Sequence, residues 1–224
     1  MRVSGEAGQR LWASVYDTMP NPLLALEAGV VGRLLDSTEP LGVIDVGCGT
    51  GRWMLHFRRR GTSVFGLDLC AEMLSKAEKH PELRGRLVLG DAQSLPFPDN
   101  AADLTLCSFG AAYMPDLPRV FAEMARVCAR GGRVLVSDLH PSAAAAGWNR
   151  SFKVGASAYE LEHFVYSAAQ IREAAASAGL QFQTQSEAYF GEAERPIFER
   201  AGKQHLISDL STVPAIWVGL WSKP

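Results

Sequence analysis

A chain of 224 residues, 47% hydrophobic and 21% charged, is long enough for one well-packed domain with small additions. Its net charge of −2 leaves no electrostatic footprint for nucleic acid or an anionic membrane, and the run Arg58-Arg59-Arg60 reads as a solvated helix end. No stretch approaches the ~18 apolar residues of a membrane span, and the N-terminus MRVSGEAGQRLW lacks the apolar core of a signal peptide, so the expected compartment is the cytoplasm.

The N-terminal 38 residues carry an amphipathic pattern: Leu11, Trp12, Val15 and Tyr16, then Leu23, Leu24, Leu26, Val30, Val31, Leu34 and Leu35. This predicts two helices broken at Pro20 and Pro22. From residue 42 to 138, short β-rich runs alternate with helical stretches. Strands are predicted at 42–46 (GVIDV), 63–68 (SVFGLD), 86–91 (RLVLGD), 103–108 (DLTLCS) and 133–138 (RVLVSD). Helices are predicted over 51–60, 70–79 and 115–129, the last stopped by Gly131-Gly132. Strands that are apolar almost throughout suit a sheet covered on both faces, hence a parallel α/β sheet.

After Asp138 the rhythm changes. Residues 139–166 are irregular, rich in small residues and then aromatic. Trp148, Arg150, Phe152, Tyr159, His163, Phe164 and Tyr166 fall there; singly each also suits plain packing, and as a group they suggest a cover over a binding site. Ser167 caps a further helix with Ile171 and Ala175 on one face, closed by Gly179. LQFQTQSEAYF alternates as a half-buried strand does, a short helix is expected at 194–202, and VPAIWVGLW reads as the final strand. With no internal repeat and no long linker, one domain is expected over 1–224. Its parts are an N-terminal helical cap (1–38), a cofactor-binding core (40–138), a substrate lid (139–166) and the final helix and strands (167–224). The cysteines Cys48, Cys70, Cys107 and Cys128 show no CxxC spacing; buried thiols are expected, with no disulfide framework and no metal site.

The stretch VIDVGCGTGRW, residues 43–53, runs a strand into Gly47, Gly49 and Gly51. A dinucleotide fingerprint spaces its glycines GxGxxG, bringing free helix N–H groups to a pyrophosphate. Here the spacing is GxGxG, and Asp45 stands beside the loop. A carboxylate there repels a pyrophosphate and stabilises an ammonium, so the loop suits a zwitterionic amino-acid moiety. Asp68 ends the second strand, 17 residues beyond Gly51, where a carboxylate can accept two hydrogen bonds from a ribose diol. Asp91 ends the third strand; it can accept from an exocyclic adenine amine while the N–H of Ala92 donates to a ring nitrogen. Taken singly, Asp68 and Asp91 also suit helix or turn caps.

VIDVGCGTGRW, VFGLDLCAEML, LVLGDAQSLPFPDNAADLTLCS and ARVCARGGRVLVSD together resemble the successive motifs of class I S-adenosylmethionine-dependent methyltransferases. They are most similar to the small-molecule branch that includes the ubiquinone/menaquinone-biosynthesis enzymes. The resemblance covers residues 40–138 and is specific for the cofactor, much less so for the substrate. It implies a Rossmann-like, mostly parallel seven-stranded sheet of order 3-2-1-4-5-7-6, its last strand antiparallel, flanked by helices. It also implies the ligand S-adenosylmethionine and the product S-adenosylhomocysteine. The methionine part would lie against Asp45, Gly47, Gly49 and Gly51, Asp68 would hold the ribose, and Leu69 and Met73 would flank the adenosine. Asp91 and Ala92 would read the adenine, and the backbone of Ser108 would meet the methionine ammonium. Tyr16, in WASVYD, is similar to a YD element of this branch and would fold over the cofactor; it also suits ordinary packing.

Methyl transfer from a sulfonium is an in-line displacement on an activated carbon, so alignment and desolvation can suffice. Where the acceptor is a hydroxyl or an acidic carbon a base helps, and His140, just after the fifth strand, is the candidate; in an HP dipeptide it also suits a turn. The related branch carries a histidine pair where this chain has Ala112 and Tyr113, so that pair's roles do not carry over and Tyr113 is left as a pocket-lining candidate. Tyr113, Trp148, Arg150 and His163 are the expected substrate-side residues. SFGAAY is not the NPPY-like tetrad of enzymes acting on nucleobase amines, no paired-glutamate loop follows strand four, and Asp138 alone makes no magnesium site. The function expected is methyl transfer to oxygen, carbon or nitrogen of a small organic acceptor, with oligomeric state left open. Two alternatives stand beside it: an NAD(P)-dependent oxidoreductase on a similar sheet, and a non-catalytic S-adenosylmethionine-binding protein.

Overall fold

Neighbouring residues of the central strands send their side chains into two different apolar layers. The computed structural model describes residues 1–35 and 39–224, so residues 36–38 of the expected helical cap lie outside the described residues. In chain order the elements are β1 (Arg2–Val3), α1 (Gly5–Trp12), α2 (Pro22–Leu35), β2 (Gly42–Val46), α3 (Arg52–Arg58), β3 (Ser63–Asp68) and α4 (Ala71–Ala77). Then come β4 (Leu87–Leu89), β5 (Ala102–Ser108), α5 (Leu117–Val127), β6 (Cys128–Leu139), α6 (Pro141–Ala145), β7 (Ser151–Val154) and β8 (Ser157–Leu161). The chain ends through α7 (Ala168–Ser177), β9 (Gln181–Ala188), α8 (Arg195–Arg200), α9 (Ile207–Leu210) and β10 (Ile216–Ser222).

The large sheet has the order β4-β3-β2-β5-β6-β10-β9, and β10 is antiparallel to both its neighbours. In terms of the seven core strands this is 3-2-1-4-5-7-6, the expected topology. Val43, Leu104, Leu135, Val218 and Leu220 join one apolar layer, with α2 and α3; Ile44, Val134, Val136, Trp217 and Trp221 join the other, with α5 and α7. That alternation is the period-two consequence of the pleat, and with both faces covered it makes the strands read as continuous apolar runs. Phe121 of α5 meets Trp221 of β10 edge-to-face at 5.6 Å, both almost wholly buried. Asp116 caps α5 by accepting from Arg119 N at 3.1 Å, and Ser167 with Gln170 forms a capping box on α7.

Three expectations shift. The edge strand β4 covers only 87–89 of the expected 86–91, so Asp91 lies in the turn beyond it. Helix α5 stops at Val127, and β6 begins at once. Gly131 and Gly132 do not end the helix; they sit inside the long strand, where Gly131 N donates to Lys223 O and Lys223 N to Gly132 O. The third shift is in residues 139–166, expected to be irregular. They contain the hairpin β7–β8, turning at Gly155 (φ +57°), and β1 from the N-terminus adds to it in parallel. The result is a separate three-stranded sheet, β1-β8-β7. Phe152 and Leu161 are its buried members, and Trp12 of α1 stacks on Phe152 at 5.3 Å. No helix among the described residues is long and apolar enough to cross a membrane. All four cysteines are buried and unbridged.

Candidate functional site

The carboxyl ends of β2, β3, β4 and β5 open into a cavity of about 790 Å³, the crevice where open α/β sheets bind ligands. Between β2 and α3 the chain passes through Gly47 (φ +73°), Gly49 (φ +55°) and Gly51 (φ +86°), all in the left-handed region. Their surroundings differ. A Cβ on Gly49 would meet nothing within 4 Å, whereas one on Gly51 would stand 2.5 Å from Leu83 Cδ1. Gly47 and Gly49 line the cavity; Gly51 is instead turned to the 3₁₀ turn at Leu83, and its requirement is packing.

The loop's own N–H groups are tied down. Gly47 N and Cys48 N donate to Leu67 O at 2.7 and 3.0 Å, and Gly49 N donates to Asp68 Oδ2 at 2.7 Å. Asp68 Oδ1 also accepts from Cys70 N at 2.8 Å, so one carboxylate braces the turns after β2 and β3 together. Burial raises the Asp68 pKa, and these backbone donors oppose the rise. Asp45 lies beneath the loop, almost fully buried and outside the cavity lining. Burial pushes its pKa up to about 7, with the Asp68 and Glu27 charges adding and Arg52 opposing. Leu69, Met73, Asp91, Ala92 and Ser108 line the cavity; Asp91 is exposed at the rim and accepts from Gln93 N at 2.9 Å. The cavity lining therefore fits an adenosyl amino acid: glycines without side chains, the Asp68 and Asp91 carboxylates following two adjacent strands, and an apolar flank.

A buried ionic network supports the loop from below, and sequence reasoning missed it. Glu27, on α2, is fully buried. Its carboxylate accepts from Arg52 Nη2 at 2.7 Å, from the Ser108 and Ser137 hydroxyls at 2.8 and 2.7 Å, and from Trp53 Nε1 at 3.3 Å. An acid amid LLALEAGVV, in an otherwise apolar helix, was the available signal. Ser108 thus spends its hydroxyl on this network. Tyr16 lines the cavity, and burial raises its pKa to about 12. Its neighbour Asp17 accepts from the Thr50 hydroxyl at 2.7 Å, tying the N-terminal turn to the glycine loop.

At the other end of the cavity, Arg150 is buried and donates through Nη2 to Asp138 Oδ1 and, at 2.9 Å, through Nη1 to Phe109 O. Asp138 also accepts from Ala112 N and Leu139 N, at 2.9 and 2.7 Å. Phe109 has φ +54°, unusual for a bulky residue, so Arg150 clamps a strained turn. The guanidinium lies 5.1 Å from the centre of the Tyr113 ring. The Tyr113 hydroxyl, Arg150 Nε and His163 Nε2 are buried with no hydrogen-bond partner, a cost of about 1–3 kcal/mol each. All three residues line the cavity. His140 and Trp148 do not. His140 caps α6, accepting Ser142 N at Nδ1 (3.1 Å), and its Nε2 faces Glu187 Oε1 at 3.3 Å. Trp148 stacks on Phe190 at 5.7 Å against the core. The expected base and one expected substrate contact are thus held elsewhere by packing and capping.

Residues 44–136 match the family described as a methyltransferase domain. Over that stretch the chain is similar to a methyltransferase domain. That match favours the first of the three functions read from the sequence. A demethylmenaquinone methyltransferase of Anoxybacillus flavithermus is 41% identical over 133 residues, covering 54% of this chain and 55% of the relative. A malonyl-acyl-carrier-protein O-methyltransferase of Hamiltonella defensa is 38% identical over 118 residues, covering 51% and 45%. The chain thus spans about half the length of the curated relatives it matches. Among solved structures, an S-adenosylmethionine-dependent methyltransferase from Mesorhizobium loti superposes with TM-score 0.63 at 20% identity, over 82% of this chain and 91% of that one. The geranyl diphosphate C-methyltransferase of Streptomyces coelicolor, in complex with S-adenosylhomocysteine, gives 0.57 at 18%, over 82% and 72%. At such identities the likeness is one of fold.

Proposed function

We propose that this protein moves a methyl group from S-adenosylmethionine to a small organic acceptor, in the cytoplasm. The observation that carries the reading is Asp68, whose carboxylate ends β3 beside the cavity and braces the glycine loop through Gly49 N. In this reading Asp68 takes the ribose diol, with Gly47 and Gly49 against the methionine part and the buried Asp45 carboxyl behind them. The Ser108 backbone meets the ammonium, Asp91 and Ala92 take the adenine, Leu69 and Met73 flank it, and Tyr16 closes over it. When bound, S-adenosylmethionine supplies the electrophilic methyl carbon. The chain's share is to hold donor and acceptor in line and to exclude water. The N-terminal cap and the lid of residues 139–166 serve that end: α1, β1, β7 and β8 pack together beside the cavity, through Trp12 on Phe152.

Calorimetric titration with S-adenosylmethionine tests the first half. Binding below millimolar concentration is expected, weakened at least tenfold in Asp68→Ala; no binding by the intact protein sinks the reading. Incubation with methyl-labelled S-adenosylmethionine and a metabolite extract, read by mass spectrometry, tests the second. A labelled small molecule is expected, and label retained only in the donor would favour a non-catalytic binder.

A further inference from the structure

Two histidines lie near the two ends of the lid segment 139–166, and their hydrogen bonds fix opposite tautomers. His140 accepts a backbone N–H at Nδ1, so its proton sits on Nε2, toward Glu187. His163 lies 3.0 Å from Leu161 O through Nδ1. A carbonyl can only accept, so Nδ1 carries the proton and Nε2 of the neutral ring carries a bare lone pair. That Nε2 is buried and has no protein partner, in a residue that lines the cavity. Beside the same cavity stand two orphaned donors, the Tyr113 hydroxyl and Arg150 Nε. One acceptor and two donors complement a hydroxyl that gives up a proton and is then stabilised as an oxyanion.

We infer that His163 is the catalytic base for an acceptor bearing an acidic hydroxyl, a phenol or enol, whose oxyanion Tyr113 and Arg150 hold. This rests on the methyl-donor reading above. The acceptor's O–H proton passes to His163 Nε2. The oxygen's lone pair forms the new bond to the donor's methyl carbon as the carbon–sulfur bond breaks, its electron pair remaining on sulfur. The imidazolium returns its proton to water after release. The apolar body of such an acceptor would lie against Trp12, Leu24, Met114 and Phe164, which line the cavity. Charged and titratable groups that line the cavity with His163 include Arg150, ion-paired to Asp138, the Tyr113 and Tyr16 phenols, Glu6, Asp68, Asp91, and Glu162, paired with Arg2 at 3.5 Å.

The test needs no turnover. 4-Nitrophenol is titrated into the complex with S-adenosylhomocysteine, one pH unit below the phenol's own midpoint, and the phenolate absorption of the bound fraction is read. The ionised fraction should at least double relative to free solution. It should return to the free value in His163→Gln and fall in Tyr113→Phe, with S-adenosylhomocysteine affinity within twofold of the intact protein. An unchanged fraction in His163→Gln overturns the base role, and failure of the phenol to bind the complex overturns the acceptor class. Failure of S-adenosylhomocysteine to bind counts instead against the methyl-donor reading. Nitrogen chemical shifts of the His163 ring, measured in the intact protein, give a check independent of any variant. A proton on Nε2 and none on Nδ1 overturns the inference.

Discussion

Glu27 of α2 and Arg52 of α3 meet at 2.7 Å, the carboxylate fully buried and the guanidinium partly exposed. The pair joins α2 to the helix that follows the glycine loop, and Ser108 and Ser137 bind the same carboxylate from β5 and β6. Removing one side of such a pair strands the other. Glu27→Ala should therefore lose about 3 kcal/mol in urea unfolding, with Glu27→Gln losing less because an amide still accepts from the serines. The double variant with Arg52→Ala should lose less than the sum of the two singles. Strict additivity would show that the pair is incidental.

The three glycines separate into two kinds. Gly51→Ala puts a methyl 2.5 Å from Leu83 Cδ1 at φ +86°, so the loss falls on folding, about 2 kcal/mol or more. Gly49→Ala meets no protein atom, and its left-handed φ of +55° costs only about 1–2 kcal/mol. Its methyl points into space the ligand would use, so the loss falls on S-adenosylmethionine affinity. Thermal unfolding and calorimetry on both variants should show this crossed pattern. Equal affinity losses would mean that Gly51 faces the ligand after all.

His140 is engaged at both ring nitrogens, by Ser142 N and Glu187. His140→Ala should cost about 1 kcal/mol, the worth of a lost helix cap, while turnover changes less than twofold. A tenfold fall in turnover at unchanged stability would restore it as the base.

A sheet covered on both faces was legible in the nearly continuous apolar runs of its central strands, whereas the seven-stranded order followed from the resemblance of the motifs to class I methyltransferases. What stayed hidden depends on partners far apart in the chain. The three-stranded sheet needs Arg2 and Val3 to pair with Glu160 and Leu161, and two residues carry no strand periodicity. The Glu27 network joins residues up to 110 positions apart, so no local spacing announces it. His140 and His163 look alike in sequence; only the groups on their Nδ1 atoms, a backbone N–H and a carbonyl, tell them apart.

Asp45 makes stability depend on pH. In the unfolded chain its carboxyl ionises near the ordinary ~3.9, whereas burial in the folded protein holds the proton up to about 7. Between these values the folded state binds more protons, so stability falls as pH rises through that window. A shift of this size corresponds to at most about 4 kcal/mol. Asp68, also raised by burial, acts in the same direction. Glu123, lowered by its hydrogen bond to Arg126, contributes stability that is lost as pH falls, and this acts equally in both proteins to be compared. Asp45→Asn removes the Asp45 contribution alone. Its urea midpoint, set against that of the intact protein, should improve steadily from pH 4 to pH 7.5. Parallel midpoints across that range would show that the Asp45 carboxyl ionises at its ordinary pH in the folded protein.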